Sequence, residues 1–187
     1  MSLQLIETFL CFIVKITYLC NAFIEETGIS MTLTSIDYAQ LIQFAAFKFH
    51  NVVLNRTQIN KILFFVYGRY WAIGNDKLFS DDEPKAWPYG PVFPIVNKKI
   101  NLEDVPRFFS KEKIEAFNKN PRAVKLVREA VDKFYNWSAY DLTMWSHAVD
   151  SPWYKTKYPK PGSEVKWNTV ISDDLIKQYF TEHYGRE

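Results

Sequence analysis

Ala86-Trp87-Pro88-Tyr89-Gly90-Pro91-Val92-Phe93-Pro94 is the stretch around which the 187-residue chain is organised. Each of its prolines fixes φ and removes a backbone N–H, so the stretch cannot lie inside a helix or a central strand. It reads as a shaped loop. Pro88 biases Trp87 toward extended backbone, and Tyr89-Gly90-Pro91 reads as a tight turn whose Pro91 opens a following helix. Trp87, Tyr89, Val92 and Phe93 load this rigid turn with large apolar groups. Two readings follow, a plug in the domain's own core or a surface for a partner. The core reading expects Trp87 to be buried, with parts of Tyr89 and Phe93 open to a partner.

On both sides of the loop the pattern is helical. Thr34 with Asp37 resembles a capping box, and Ile36, Ala39, Ile42, Ala45, Ala46 and Phe49 keep a 3.6-residue period to about His50. Asn55 with Gln58 restarts the pattern; Ile59, Ile62, Leu63, Val66 and Tyr70 form a stripe that Gly74 stops. Lys77–Ser80 and Lys85–Trp87 flank Asp81-Asp82-Glu83-Pro84, which predicts a small hairpin closed by a solvated acidic turn. After the loop, Val92–Ile100 reads as a short helix and residues 101–120 as a polar segment broken by Pro106. Pro121 opens a helix with Val124, Val127, Val131 and Phe134 on its buried face. Ser138 with Asp141 caps another, carrying Leu142, Trp145 and His147, which Ser151-Pro152 ends. Lys155–Gly162 reads as a loop, and Ser172-Asp173-Asp174 starts a terminal helix whose dipole the carboxylates complement. The fold class expected is mainly α: a single compact helical domain over residues 31–187, with a small β-hairpin before the central Trp-Pro-Tyr-Gly-Pro loop.

Residues 1–30 read differently. Glu7 and Lys15 interrupt their apolar run, which falls short of a membrane span and lacks the basic start and cleavage site of a signal peptide. The segment reads as an N-terminal extension, from a misassigned start or as an accessory helix, with a membrane-surface anchor as the alternative. The domain is expected to fold from Met31. Both cysteines, Cys11 and Cys20, fall in this extension, which fits a reducing cytoplasm.

The composition is that of a packed globule: 48% hydrophobic and 17% aromatic residues, with a formal net charge of +2. That charge supplies no strong field for nucleic acid or anionic lipid. Between Arg107 and Lys133 bases outnumber acids, but the signs are interspersed, as on a solvated helical face.

Known chemistries find little footing. His50, His147 and His183 stand far apart with no cysteine near them, so neither a metal nor a cofactor is expected. No glycine-rich phosphate loop and no Gly-x-Ser-x-Gly elbow occurs, and no catalytic residue is assigned. His147 reads as a hydrogen-bonded structural histidine at a helix C-terminus, or else as a general base. Trp153 reads as a core anchor or a binding residue.

A longer ordered pattern carries a resemblance. It comprises Asn55, Ile59-Asn60-Lys61-Ile62-Leu63-Phe64-Phe65, Leu78-Phe79, Trp87-x-Tyr89-Gly90-Pro91-Val92-x-Pro94, Ser146-His147, Pro152-Trp153, Ile171-Ser172 and the segment from Ile176 to Phe180. This resembles the Panacea domain family, also met as SocA-like or GepA-like phage-associated proteins, over about residues 32 to 184. Asn55 and Asn60 depart from the threonine and glutamine usual there. The resemblance implies an antitoxin of a toxin–antitoxin system, which neutralises a cognate toxin by direct binding. A protease or chaperone-unfoldase is a second partner for members that act as adaptors. Trp87, Tyr89, Gly90, Pro91, Val92, Phe93, Pro94, His147, Pro152 and Trp153 are the partner-binding candidates. Two other readings stay open. A nucleic-acid-binding or regulatory phage-associated protein would align the Arg107–Lys133 bases on one face, and an enzyme would need convergent polar groups in a pocket.

Overall fold

Three reciprocal capping boxes open three of the helices, at Thr34 with Asp37, Asn55 with Gln58 and Ser138 with Asp141, as their spacing predicts. The computed structural model describes residues 32–185. The expectations for residues 1–30, both cysteines included, lie outside the described residues. Eight helices and three short strands follow in order: α1 (Ser35–His50), α2 (Arg56–Gly74), β1 (Lys85–Trp87), β2 (Gly90–Val92), α3 (Pro94–Lys99), α4 (Lys111–Asn118), α5 (Pro121–Phe134), α6 (Ala139–Ser146), α7 (Pro152–Lys157), β3 (Thr169–Val170) and α8 (Asp173–Tyr184). The protein is thus mainly helical with one small antiparallel sheet, and residues from Leu33 onward form one compact unit.

Helix α2 is the centre of that unit. It is apolar nearly all round, which commits it to the interior, and it packs against α1, α5, α6 and α8. Ile59, Ile62, Leu63 and Val66 are fully buried. Phe65 meets the rings of Phe134, Phe180 and Tyr184 edge to face at 4.9–5.9 Å. Gly68 permits the approach of α8, since a Cβ there would stand 2.1 Å from the Phe180 ring. The helix ends one residue later than its glycine suggests: Gly74 is still helical, and Asn75 takes the left-handed conformation that closes it.

The hairpin lies later in the chain than the sequence suggests. Lys77–Ser80 forms no strand; β1 pairs instead with β2, with Ala86 opposite Pro91 and Trp87 opposite Gly90, so Pro88-Tyr89 is the turn. The central stretch is therefore itself the hairpin rather than a loop after one. Pro91 sits in an edge strand of the sheet, ordered β2-β1-β3, where its missing N–H costs no ladder bond. Pro94, not Pro91, opens the following helix.

The acidic turn is solvated at Asp81 and Glu83, as expected, but it is structural as well. Asp81 accepts from Ser35 N and Oγ, both at 2.8 Å, at the start of α1. Asp82 is buried and accepts from Ile95 N at 2.7 Å and Val96 N at 3.1 Å in the first turn of α3. Burial raises the Asp82 pKa, and the backbone bonds oppose the rise. The two carboxylates therefore tie the segment before the hairpin to two helix starts. Among the described residues, no helix is long and apolar enough to cross a membrane.

Candidate functional site

The hairpin is held from beneath and from one side. Beneath it, two polar residues of α2 replace what would otherwise be an apolar ridge. Asn60 Oδ1 accepts from Phe93 N at 2.9 Å, and Lys61 Nζ donates to the Pro91 carbonyl at 3.1 Å. From the side, the Trp153 indole N–H donates to the Trp87 carbonyl at 2.8 Å, and the Trp87 indole N–H donates to Asn168 Oδ1 at 2.9 Å. The β3 segment closes the other edge of β1, with Asn168 N donating to the Ala86 carbonyl at 3.0 Å.

The candidate residues divide into three groups. Gly90, Pro91, Val92, Phe93, Pro152 and Trp153 are buried. Phe93 is 0% exposed and meets Tyr67 and Phe79 at 5.5 and 5.3 Å, so it offers nothing to a partner, contrary to the sequence expectation. Trp87, Pro94 and His147 are half-buried. The expectation of a buried Trp87 is also overturned. Its ring points to the outer side of the sheet, because alternation along β1 turns only Ala86 inward, and it packs edge to face on Trp167 at 5.8 Å. Tyr89, at the tip of the turn, is 76% exposed.

His147 does not play the hydrogen-bonded role expected of it. Its ring lies flat on Trp153 at 3.6 Å and 3°, and its buried Nε2 has no hydrogen-bond partner. Burial, with the nearby Lys61 amine second, pushes its pKa down to about 4. The imidazole is therefore neutral at pH 7 and lends no charge to the end of α6.

Trp167 and Asn168 went unmarked in the sequence, and Lys61 and Ser146 entered only as part of the family pattern, not as site candidates. Lys61 is 1% exposed, and burial pushes its amine down to about 7. The signal was present: Asn60-Lys61 is the only polar pair inside the apolar run of α2 from Ile59 to Tyr67. Lys61 and Ser146 converge on Gly90. A Cβ at Gly90 would stand 2.5 Å from Ser146 Oγ and 2.7 Å from Lys61 Cε, and the residue has φ +101°, which L side chains rarely adopt. Gly90→Ala is therefore expected to cost about 2 kcal/mol through strain and overpacking. Thermal unfolding checks it, and a variant that melts with the parent protein contradicts it.

The side chains beneath and beside the hairpin hold its backbone at Trp87, Pro91 and Phe93. A cleft of about 400 Å³ lies between Phe47, Val53 and the 102–107 segment, and none of its lining residues belongs to the hairpin or its supports. The Arg107–Lys133 bases are largely spent in pairs. Lys113 bonds Asp37 at 2.7 Å, Arg122 bonds Asp76 at 2.6 Å, Arg128 bonds Asp132 at 2.8 Å, and Arg107 lies over the Phe47 ring at 3.8 Å.

The family described as "Antitoxin SocA-like, Panacea domain" matches residues 59–154, just over half of the chain, from the first turn of α2 through the hairpin to α7. No curated protein and no solved structure matches the chain.

Proposed function

The chain belongs to the SocA-like antitoxin, Panacea domain family, and we propose that it acts as an antitoxin, holding a co-encoded toxin in a direct protein–protein complex. The observation that carries this reading is the hairpin: Tyr89 stands 76% exposed at the tip of a turn whose neighbours Gly90 to Phe93 are buried. A large ring on a mount that four side chains fix loses little conformational entropy on binding, which is what makes exposed Tyr and Trp effective interface anchors. In this reading the chain works stoichiometrically in the cytoplasm and carries out no chemistry of its own. Presentation of the toxin to a protease or chaperone-unfoldase belongs to the same proposal.

Co-expression tests it. The product of the neighbouring reading frame is expected to arrest growth alone, and this chain to restore growth and to co-purify with that product. Rescue at strongly substoichiometric levels with no recoverable complex contradicts the reading. One observation favours an enzyme instead, the meeting of Lys61, Ser146 and a neutral His147 under the hairpin. Ser146→Ala separates the two, since a binding protein keeps its growth rescue and an enzyme using that hydroxyl loses it.

A further inference from the structure

We propose that the outer face of the sheet, where Trp87, Tyr89, Trp167 and Val170 stand among Lys85 and Lys166, is a docking surface for an acidic protein segment. The proposal rests on the antitoxin reading in taking the partner to be a protein, and it adds the partner's chemistry.

Register places the face. Ala86, 0% exposed, points into the core, so Lys85 and Trp87 point outward, and Val170, paired with Lys85, stands beside it, 43% exposed. Trp167 is 61% exposed and touches Trp87 edge to face. Exposed aromatics grouped in this way are unusual on a soluble surface and mark contact sites.

Charge decides the occupant. Residues 152–170 hold Lys155, Lys157, Lys160 and Lys166 against Glu164 alone. Glu164 is already taken by Lys157, whose Nζ lies 2.8 Å from it and donates to the Val165 carbonyl at 2.9 Å. Lys85, Lys155, Lys160 and Lys166 make no ion pair among the described residues, whereas Lys113, Arg122, Lys125 and Arg128, half of the eight bases of the 107–133 segment, do. A surface with free cations around apolar rings complements carboxylates interrupted by apolar side chains. A single-stranded nucleic acid fits less well. It needs open ring faces for parallel stacking, and here the Trp87 and Trp167 rings are locked at 75° to each other with the Trp87 N–H already used by Asn168.

The test titrates the full chain with a glutamate-rich dodecapeptide carrying two leucines, and in parallel with a thymidine dodecanucleotide at the same ionic strength, following indole emission. The peptide is expected to shift the emission saturably, to weaken as salt rises, and to lose at least tenfold in affinity on Lys85→Glu with Lys166→Glu. Trp167→Ala should remove most of the emission change without altering the melt. A peptide that leaves the emission unchanged, or an oligonucleotide that binds as tightly, overturns the proposal. Growth rescue by co-expression is read separately: rescue without peptide binding sinks the acidic-segment inference alone, whereas peptide binding without rescue or a complex sinks the antitoxin reading.

Discussion

Lys61→Met is expected to make the protein more stable at pH 7 and to flatten the rise of stability between pH 7 and pH 10. The amine titrates near 7 in the folded chain against 10.5 in the unfolded one. Between those values the unfolded state binds the extra proton, so stability falls as pH falls through this window and levels off below about 7. At ~1.4 kcal/mol per pH unit, the gap costs the folded state roughly 4–5 kcal/mol at neutral pH. Removing the amine also leaves the Pro91 carbonyl without its donor, which returns about 1–3 kcal/mol of that. A net gain of about 2 kcal/mol at pH 7 should remain, read from urea midpoints of both proteins at pH 7 and pH 10. A variant less stable at both pH values with the parent's slope contradicts the burial of a costly amine. His147 acts on the acid side with the same sign. Its folded value of about 4 lies below the ordinary 6.5, so its contribution is complete above 6.5 and lost as pH falls toward 4.

Trp153→Ala is expected to cost about 3–5 kcal/mol, most of a small domain's stability. The ring is 4% exposed, covers the His147 imidazole at 3.6 Å, and its N–H fixes the backbone of the hairpin at Trp87. Its loss opens a cavity and releases one of the hairpin's side supports together. Trp87→Ala, by contrast, removes a half-buried ring and one hydrogen bond to Asn168, and should cost about 1 kcal/mol. Denaturant unfolding of the pair checks the order. Equal losses contradict the placement of Trp87 on the outer face.

The helices were legible because their caps and periods are local. Thr34, Asn55 and Ser138 each satisfy backbone donors within three residues, and the stripe of α2 repeats within one element. Two short helices were missed for the same reason. Lys111–Asn118 buries only Ala116 and Phe117, too few to show a period, and Pro152–Lys157 is a six-residue turn begun by a proline that reads as a stop. The hairpin was misplaced because strand pairing is non-local: nothing between Lys77 and Trp87 reveals that the partner of Lys85 is Val92 on one side and Val170 on the other.

The candidate site was legible as a motif but not as a surface. Composition marked the nine residues from Ala86 to Pro94, yet which of their rings face water follows from β alternation and from distant residues. Phe93 turns inward onto Tyr67 and Phe79, while Trp87 turns outward onto Trp167, 80 residues later in the chain. Lys61 stayed hidden because a lysine in an apolar helix ordinarily snorkels to solvent, and here the hairpin closes over it.

Titration calorimetry of the chain with the purified product of the neighbouring reading frame tests the central claim most directly, with Tyr89→Ala as the second titrant. A saturating complex at a fixed whole-number ratio is predicted, weakened more than tenfold by Tyr89→Ala at an unchanged melting temperature. Growth rescue in the cell with no heat of binding between the purified proteins would contradict it.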